Sequence, residues 1–439
     1  MEKDLSIVIL AAGQGTRMKS SKAKVLHEIS SKPMLYYCIK EAKKITSDIS
    51  VVLYHQAKEI QSCMQNYFTD IKYHIQDCDN FPGTGGALRG VKLKGENVLV
   101  LNADMPLTQA KELEKFTALQ GKDTKLILSL LDLKDANGYG RVVLDSCKKV
   151  KKIVEQKDAN KEELKIKIAN AGIYLFAKNF LVQNLSKLDN NNAQKEYYIT
   201  DLVHMALKAK LEVKSFFVNE ENFKGVNNKY DLASAEQIHQ DRIKKEFMLQ
   251  GVLMRLPNSI FISEGVQIEG ESVIENGVSL LGTSKIVSSH IKANSIIEDS
   301  LIKNSSVGPF ARIRPKSEIE DSQLGNFVET KKSKLEGVKA GHLSYLGDCE
   351  IKEGTNVGAG FISCNYDGKT KHKTKIGKNV FIGSDVQVVA PINIADNVLI
   401  AAGSTITKDL QKGELGISRA KQRNIKDFFY EFFPKKEKK

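Results

Sequence analysis

The first residues with the chemistry to bind a ligand lie directly after the first apolar stretch of the chain. Residues 6–10 have the composition of a short buried strand, and they run into the small, glycine-rich segment 11–18. Such a turn lets backbone N–H groups approach a polyphosphate, and the start of a following helix would add a favourable dipole. Arg17 and Lys24 supply two cations nearby. The segment therefore indicates a phosphate-binding turn.

This turn does not fit two common nucleotide-binding fingerprints. No Gly-Lys-Ser or Gly-Lys-Thr follows it, as a Walker A loop requires, and Met18 stands where the third glycine of the dinucleotide fingerprint belongs. As an isolated glycine-rich turn it would be weak evidence. The two neighbouring cations strengthen the interpretation as a phosphate site.

A second glycine-rich turn, 81–87, leads into a predicted helix, and a carboxylate follows the predicted strand 97–101. That carboxylate is Asp104, which stands just before Pro106. In open parallel sheets ligands gather at the carboxyl ends of strands, where a carboxylate suits a metal–phosphate complex. Asp104 alone would more often cap the turn before Pro106. Combined with two glycine-rich turns and paired cations, it indicates a metal site.

In the second half, polar groups gather where a regular repeat is interrupted. Cations occur at 312–314 and 331–332, ahead of the segment 342–345. His342 would more often be a hydrogen-bonded structural residue than a catalyst, although an imidazole also suits a general base near neutral pH. The segment 364–371 is too polar and too long for one repeat. We expect it to project as a loop of the kind that binds ligands on solenoids.

The elements that must position the first group of residues alternate between strand and helix. Periodicity predicts helices near 34–44 and 57–66, with strands at 50–54 and 72–76. This order predicts an α/β domain, Rossmann-like and with a mostly parallel sheet, over residues 1–229.

The second half is organised by a six-residue repeat, which suits neither an amphipathic helix nor an ordinary strand pair. It is typical of a parallel β-helix whose coils have three flat faces, each made by one hexapeptide. The aliphatic positions are Ile376, Ile382, Val388, Ile394, Ile400 and Ile406, preceded by Ile262, Ile268, Ile274, Leu280, Ile286, Leu301, Val307, Ile313, Ile319, Ile351 and Val357. We expect about eight coils from the usual strand spacing and coil length.

Two flanking segments complete the predicted organisation. Residues 230–250 have helical character and end at Gly251, a plausible C-cap, so they are interpreted as a rigid helical linker between the domains. The second domain is placed at 251–439, with a helical tail. Because a solenoid exposes its ends, the aromatic segment 424–433 is expected to cover one end or to pack on a neighbouring molecule.

Composition limits the class of protein. The chain has 439 residues, a formal charge of +13 and six cysteines without CxxC spacing, so neither a disulfide framework nor a zinc site is indicated. Acidic residues are interspersed among the lysines, which favours phosphorylated metabolites over nucleic acid as partners. No apolar run has the length of a membrane span, and no signal-peptide pattern is found, so we expect a cytoplasmic protein without stable membrane insertion.

Several motifs together resemble a known family. LAAGQGTRM and KVLH look like the signature of the sugar-1-phosphate nucleotidylyltransferases. With FPGTGGA, NADMPL, GYGR, IVEQKDA, NNNAQKEYYITD and GVNN, and with FARIRP, NFVETKK, AGHLSYLGD, NVGAG, CNYDG and GSD in the second half, the whole chain is similar to the bacterial bifunctional uridylyltransferase/acetyltransferase family. The resemblance implies a left-handed β-helix and a homotrimer.

The resemblance also implies the reactions. Glucosamine 1-phosphate would be acetylated from acetyl-CoA, and the resulting N-acetylglucosamine 1-phosphate would take UMP from UTP with release of pyrophosphate. The product would be UDP-N-acetylglucosamine, a precursor of peptidoglycan and lipopolysaccharide. The cofactor implied is Mg²⁺.

In the first half, the resemblance assigns the phosphates to two catalytic cations, Arg17 and Lys24. It assigns uridine to Leu10, Ala11, Ala12, Gly13, Gln76, Gly83 and Thr84. It assigns the sugar and metal region to Asn102, Ala103, Asp104, Gly140, Glu155, Asn170 and Asn227. Asp104 and Asn227 would ligate Mg²⁺.

In the second half, the resemblance makes His342 the base that takes a proton from the sugar amine. It assigns the acceptor sugar phosphate to Arg314, Lys331, Tyr345, Asn356 and Asn365, with Lys371 as a further candidate. It assigns acetyl-CoA to Ala359, Asn365, Tyr366, Ser384, Ala402 and Arg419.

Four positions depart from the family pattern. Ala23 replaces a proline, Ala103 a glycine and Ala171 a threonine, and Lys195 stands where glycine is usual. The first three exchange small residues and should change loop stiffness and affinity rather than the reaction.

Two alternatives remain open from the sequence. One is an enzyme with a single activity, a sugar-phosphate uridylyltransferase whose β-helix serves only trimerisation or an acyltransferase of another acceptor. The other is a β-helical scaffold or polyanion-binding protein, which predicts no turnover and binding that weakens steeply with salt. Neither alternative accounts for both sets of motifs.

Overall fold

The structure is a computed structural model that describes residues 4–433. The chain divides after Arg242 into two compact units. The proposed boundaries at 230 and 250 are a finer division and stay a prediction.

The first unit contains one mixed nine-stranded sheet and one separate two-stranded antiparallel sheet, Glu28–Ile29 with Lys32–Pro33. Its strands are β1 Leu5–Leu10, β2 Glu28–Ile29, β3 Lys32–Pro33, β4 Ile49–Leu53, β5 Lys72–Ile75, β6 Asn97–Asn102, β7 Thr124–Asp132, β8 Arg141–Leu144, β9 Val150–Val154, β10 Ile168–Ala177 and β11 Glu212–Phe217. Its helices are α1 Met34–Lys43, α2 Ala57–Gln65, α3 Ala110–Thr117, α4 Lys178–Leu185, α5 Asp201–Lys208 and α6 Glu220–Phe223, and α7 Lys229–Leu249 begins there.

The parallel part of this sheet places the candidate site. The strand order is β11-β7-β10-β6-β1-β4-β5, with β8 and β9 extending from β10. Strand β1 pairs in parallel with β4 on one side and with β6 on the other. The carboxyl ends of β1 and β6 therefore lie side by side, at the end of the sheet where open α/β sheets bind their ligands.

The central strands of the sheet are buried on both faces. In β1, Ile7 and Ile9 pack into one core while Val8 packs into the core on the opposite side. This explains why β1 is a continuous apolar run rather than an alternating one. The predicted strands and helices of this part lie within one residue of the observed bounds.

The glycine-rich turns lead into less helix than the sequence suggested. After the first turn there is a single 3₁₀ turn, Thr16–Met18, and after the second another, Gly86–Leu88. One such turn aligns too few peptide dipoles to act as a helix N-terminus. The expectation of a following helix was wrong at both turns, so phosphate binding there would depend on backbone N–H groups and side-chain cations.

The second unit is a three-sided parallel β-helix. The first face has the strands Leu253–Met254, Val273–Ile274, His290–Ile291, Ser306–Val307, Gln323–Asn326, Lys339–His342, Asn356–Val357, Phe381–Ile382, Leu399–Ile400 and Leu415–Gly416. The second has Phe261–Ile262, Ser279–Leu281, Ile296–Glu298, Arg312–Ile313, Glu329–Lys331, Tyr345–Gly347, Ile362–Cys364, Gln387–Val389 and Thr405–Ile406. The third has Gln267–Glu269, Lys285–Val287, Leu301–Lys303, Glu318–Glu320, Lys334–Glu336, Cys349–Ile351, Thr374–Ile376 and Ile392–Ile394.

The aliphatic ladder fills the interior, with one correction. The predicted positions from Ile376 to Ile406 are all buried. Leu301, however, is only half-buried, and its neighbour Ile302 points inside instead. Ile302 pairs with Ile286, so this coil is two residues shorter than a regular one and the six-residue count slips. The predicted architecture, an α/β domain followed by a parallel β-helix, is confirmed.

The two ends of the β-helix differ. At its start, Ile243 and Phe247 of α7 pack against the β-helix core, and Lys244 Nζ donates to the carbonyl of Pro257 at 3.0 Å. At its other end, residues 417–433 are exposed, including the short helix α8, Phe428–Phe432. The described residues 417–433 are thus not buried against the rest of the described chain, and packing of the segment 424–433 on a neighbouring molecule stays a prediction.

Candidate functional site

A cavity of about 700 Å³ opens at the carboxyl ends of β1 and β6. Both glycine-rich turns line it. The predicted residues among its lining are Leu10, Ala11, Ala12, Gly13, Lys24, Gln76, Gly83, Thr84, Asn102 and Asp104. The predicted nucleotide residues are thus brought together from segments that are far apart in sequence.

Steric contacts explain two of the glycines. Gly15 has φ +63°, and a Cβ there would lie 2.5 Å from Cβ of Lys24. Gly83 has φ +93°, and its Cβ would lie 2.8 Å from the carbonyl oxygen of Tyr197. Only glycine adopts such backbone angles without strain and leaves room for these neighbours. Gly15 therefore allows Lys24 to lie directly over the first turn.

Four charged and polar side chains meet beside this cavity. Lys24 Nζ donates to Asp104 Oδ2 at 2.6 Å and to Asn227 Oδ1 at 3.1 Å. Arg17 Nη2 donates to the same Asn227 oxygen at 2.8 Å. The predicted phosphate cations and the predicted metal ligands therefore form one connected cluster.

Main-chain contacts hold the two acceptors of this cluster side by side. The N–H of Val226 donates to the carbonyl oxygen of Asp104 at 2.8 Å. The neighbouring Gly225 lies close to the same residue, since a Cβ built on it would be 3.6 Å from the Asp104 carboxylate, an ordinary van der Waals distance. The loop before α7 is thus joined to the turn after β6.

The acceptors in this cluster suit a hard divalent cation. One carboxylate oxygen and one amide oxygen already converge on a single positive group, the Lys24 ammonium. Magnesium prefers oxygen ligands and commonly takes one or two from protein, the rest coming from phosphates and water. Asp104 and Asn227 therefore fit a magnesium ion as ligands.

A second group of predicted residues lies around Glu155. A Cβ on Gly140 would lie 3.3 Å from Glu155 Oε2, and Thr200 Oγ1 donates to Glu155 Oε1 at 3.1 Å. Burial raises the pKa of the Glu155 carboxyl above its ordinary value, and the Thr200 hydrogen bond partly opposes this. Among residues 4–433, Glu155 Oε2 has no hydrogen-bond donor, so this half-buried carboxylate can accept a hydrogen bond from a sugar hydroxyl.

Asn102 and Asn170 are connected through Gly172. Asn102 Nδ2 donates to the Gly172 carbonyl at 3.3 Å, and the Gly172 N–H donates to Asn170 Oδ1 at 3.0 Å. The substituted positions Ala103 and Ala171 are both buried, so each methyl group is accommodated inside the fold. Ala103 also keeps a main-chain bond to the carbonyl of Leu10, at 3.0 Å.

Some residues that line the cavity were not among the predicted ones. They are Gln14, Gly15, Thr16, Val25, Tyr54, Cys78, Pro82, Ala87 and Glu196. Tyr54 follows strand β4, which pairs with β1, so its position at a strand end was the available signal. Glu196 lies within the quoted motif NNNAQKEYYITD, which was the available signal, and the main-chain bond from Gly85 N–H to Tyr197 O brings it to the second turn.

In the second unit, four predicted residues lie on successive coils at one edge of the prism, between the first and second faces. They are His342, Ala359, Ser384 and Ala402. Main-chain bonds connect neighbouring coils there, from Asp385 N–H to Ala359 O at 2.7 Å and from Gly403 N–H to Ser384 O at 2.9 Å. These bonds hold the residues of this edge in a row that runs along the axis of the β-helix.

Arg419 extends this row, since its Nη1 donates to the Ala402 carbonyl at 2.8 Å. His342 itself is the last residue of its strand and is exposed. Among residues 4–433, no hydrogen bond of its imidazole is found. Its side chain is thus accessible to a substrate.

The predicted phosphate cations lie at the next edge, between the second and third faces. Arg314 Nη1 donates to Glu329 Oε1 at 2.9 Å, and Glu329 pairs in register with Tyr345. The Lys371 ammonium beside Lys331 lowers the pKa of the Lys331 ammonium. Two adjacent cations of this kind favour an anion between them.

The projecting loop carries the remaining predicted residues. Asn365 Nδ2 donates to the Asp348 carboxylate, and Tyr366 forms an antiparallel bridge with Lys371. Tyr366 is 59% exposed. Asn356 lies apart, on the first face, where it pairs with Lys339 and Phe381. Tyr366 is therefore accessible to a ligand, whereas Asn365 is buried and its side-chain amide is held by Asp348.

One further property concerns membranes. Among residues 4–433, no helix combines the length and the apolar composition needed to cross a bilayer.

Comparison with known proteins agrees with both halves of the chain. Residues 6–238, more than half of the chain, match the nucleotidyl transferase family, and residues 373–408 match the bacterial transferase hexapeptide (six repeats). The chain is 63% identical over 433 residues to the bifunctional protein GlmU of Aliarcobacter butzleri, covering 99% of each chain. It is 57% identical over 430 residues to the GlmU proteins of Nitratiruptor sp. and of Wolinella succinogenes, covering 98% of this chain and 99% of each relative.

The resemblance stated from the motifs is therefore confirmed over nearly the full length. The match to two transferase domains also disfavours the single-activity and scaffold alternatives. The chain belongs to the GlmU family of bifunctional enzymes, which unite a uridylyltransferase and an acetyltransferase.

Proposed function

We propose that the first unit transfers UMP from UTP to N-acetylglucosamine 1-phosphate in the cavity at the ends of β1 and β6. The observation that carries this proposal is the meeting of Arg17, Lys24, Asp104 and Asn227 beside two glycine-rich turns. The phosphate of the sugar attacks the α-phosphorus of UTP, and pyrophosphate leaves. No protein nucleophile is required, so the chain contributes alignment and charge neutralisation.

The positions of individual residues around the cavity support the roles proposed for them. The turn 10–13 with Gln76, Gly83 and Thr84 would hold the uridine, and Arg17 and Lys24 would contact phosphate oxygens. Lys24 already lies on the cavity wall. Its ammonium can therefore reach a phosphate by leaving the Asp104 carboxylate.

Asp104 and Asn227 would hold Mg²⁺, since their oxygens already face one positive group. The ion would supply neutralisation of the charge that grows on the pyrophosphate leaving group. Asn102, Gly140, Glu155 and Asn170 would position the sugar. The free oxygen of Glu155 is suited to accept from a sugar hydroxyl.

We further propose that the β-helix acetylates glucosamine 1-phosphate. His342 would take the proton from the sugar amine as it attacks the thioester carbon of acetyl-CoA, and coenzyme A would leave as its thiol. Arg314, Lys331 and Lys371 would bind the sugar phosphate. The neighbouring ammonium groups of Lys331 and Lys371 repel each other, and a phosphate between them would relieve this repulsion.

The remaining assignments concern the two acetyltransferase substrates. Tyr345, Asn356 and Asn365 would contact the acceptor sugar. Acetyl-CoA would be contacted by the row along the His342 edge, namely Ala359, Ser384, Ala402 and Arg419, and by Tyr366 of the projecting loop. Asn365 would lie at the boundary between the two substrates.

A homotrimer is part of this proposal. The edge that carries His342 also exposes Leu343, Phe310 and Phe327, which are 60%, 49% and 56% accessible. The two phenylalanine rings stack with centroids 5.5 Å apart. Apolar groups exposed in a cluster commonly mark a contact with another protein surface, and a neighbouring prism would cover this edge and close the acetyl-CoA site.

The test is a reaction of the purified chain with glucosamine 1-phosphate, acetyl-CoA, UTP and Mg²⁺, in which each component is omitted in turn. We expect UDP-N-acetylglucosamine only in the complete mixture, and acetylated sugar phosphate without UTP or metal. A chain that accepts N-acetylglucosamine 1-phosphate but never forms it would have a single activity. We expect the protein to act in the cytoplasm, because its proposed nucleotide and coenzyme substrates are found there.

A further inference from the structure

The loop that carries Asn227 is closed by a side chain from the first turn of α7. Asp231 Oδ2 accepts a hydrogen bond from the backbone N–H of Asn227 at 3.0 Å. The backbone N–H of Asp231 in turn donates to Asn228 Oδ1 at 2.9 Å. The two bonds form a capping arrangement at the start of the helix, in which the Asp231 carboxylate satisfies the N–H of Asn227 and the Asn228 side chain satisfies the N–H of Asp231.

The side chain of Asn227 is held independently of its backbone. Its Nδ2 donates to the carbonyl of Gly225 at 3.3 Å, which leaves Oδ1 directed at Lys24 and Arg17. An amide group can flip its oxygen and nitrogen unless its bonds fix the orientation. The Asp231 bond fixes the backbone of Asn227, and the Gly225 bond fixes the amide.

We infer that Asp231 is a positioning residue for uridylyl transfer, which sets the position of the Asn227 amide oxygen for the metal. This inference rests on the proposed role of Asn227 as a magnesium ligand. Asp231 acts through the Asn227 N–H, so its loss should weaken metal binding while the chemistry at saturating metal changes little. Groups that orient a metal ligand typically change metal affinity by about 10- to 100-fold.

The experiment compares Asp231→Ala and Asp231→Asn with the wild-type full-length chain. Two readouts are used: the Mg²⁺ concentration that gives half-maximal uridylyl transfer, and Mn²⁺ binding measured by electron paramagnetic resonance in saturating UDP-N-acetylglucosamine. For Asp231→Ala we expect both the half-maximal Mg²⁺ concentration and the Mn²⁺ dissociation constant to rise about tenfold or more. The kcat at saturating Mg²⁺ should stay within about threefold of wild type, well below the losses expected when a catalytic group is removed.

Asp231→Asn separates the hydrogen bond from the charge. Its amide oxygen can still accept from Asn227, so we expect most of the metal affinity to return. An Asn variant as weak as the Ala variant would overturn the inference, because the negative charge rather than the bond would then matter. Asp241→Ala, a change of the same type on the same helix, is the matched control and should leave both readouts unchanged.

Asn227→Ala distinguishes this inference from the function on which it rests. We expect it to weaken Mn²⁺ binding at least as much as Asp231→Ala does. Weakened binding in Asn227→Ala with none in Asp231→Ala would overturn the positioning role alone. Unchanged binding in Asn227→Ala, or a wild-type chain that binds no Mn²⁺, would overturn the metal assignment and the positioning role together. Thermal melting of each variant checks that the fold is retained.

Discussion

Lys24 Nζ lies 2.6 Å from Asp104 Oδ2, although eighty residues separate the two in sequence. The same ammonium lies 3.1 Å from Asn227 Oδ1. The proposed phosphate-binding cation therefore lies between the two proposed metal ligands. Binding of a metal–nucleotide complex would exchange one cation for another at these oxygens, and free Lys24 to contact the phosphates.

Removal of this ammonium should affect metal binding and turnover in opposite directions. In Lys24→Met we expect uridylyl transfer to fall by about 10²-fold or more, because a cation opposite the developing phosphate charge is lost. We expect Mn²⁺ to bind the substrate-free protein at least as tightly as it binds wild type, because no ammonium competes for the oxygens. Lys22→Met, whose lysine pairs with Glu28, is the control. Weaker Mn²⁺ binding in Lys24→Met would contradict the exchange.

The charge of Asp104 should be essential for uridylyl transfer. Asp104→Asn keeps the size of the side chain and an acceptor for Lys24, but it removes the carboxylate that would hold Mg²⁺. We expect Mg²⁺-dependent release of pyrophosphate to fall by about 10²-fold or more. Acetyl transfer by the same variant serves as the internal control. Unchanged turnover would remove Asp104 from the metal site.

The imidazole of His342 should be needed for acetyl transfer alone. In His342→Ala we expect acetyl transfer to fall by roughly 10²–10⁴-fold, the usual contribution of a general base, with uridylyl transfer near normal. His290→Ala is a matched control in the same β-helix, since His290 pairs with Glu275 instead. Equal loss of both activities in His342→Ala would indicate a folding defect rather than a lost base.

The buried carboxylate of Glu155 should lower the free energy of unfolding of the protein at neutral pH. Burial raises its pKa in the folded chain, so the folded state favours the protonated carboxyl more than the unfolded state does. Stability therefore falls as pH rises from the ordinary glutamate pKa through the raised value. We expect Glu155→Gln to raise the melting temperature at pH 7 relative to wild type, with no such gain at pH 4.

Two further measurements complete this prediction. Glu162→Gln changes an exposed carboxyl of the same unit and should show no pH-dependent gain. Glu155→Gln should also lower the affinity for the sugar substrate. If the gain in melting temperature of Glu155→Gln over wild type were smaller at pH 7 than at pH 4, burial of the Glu155 carboxylate would not be destabilising.

Lys195 should be a site of backbone strain. It adopts φ +58°, in the left-handed region that costs a non-glycine residue about 1–2 kcal/mol. Glycine would avoid that cost but would lose about 0.4–1 kcal/mol through the greater freedom of the unfolded chain. We expect Lys195→Gly to stabilise the first unit by about 0.5 kcal/mol, measured by thermal melting. Lys195→Ala, which keeps a Cβ, is the control, and an equal gain from alanine would refute the strain.

The sequence by itself determined the two fold classes and the chemistry available to each. Apolar runs and small residues such as those from Leu10 to Gly13 define the strand and its turn, because this information is local. The ladder from Ile376 to Ile406 defines the β-helix for the same reason. The slip at Leu301 was not predictable, since a short coil changes the register without changing the composition.

Only the tertiary structure decided which polar groups meet. Asn227 and Lys24 converge because the Val226 N–H bonds to the Asp104 carbonyl, and Glu196 reaches the cavity through main-chain contacts of its neighbour. No local pattern encodes such contacts, because hydrogen bonds between distant segments depend on how the strands are ordered in the sheet. The role of Asp231, an acidic residue in an ordinary first helical turn, became visible only from the bond it accepts.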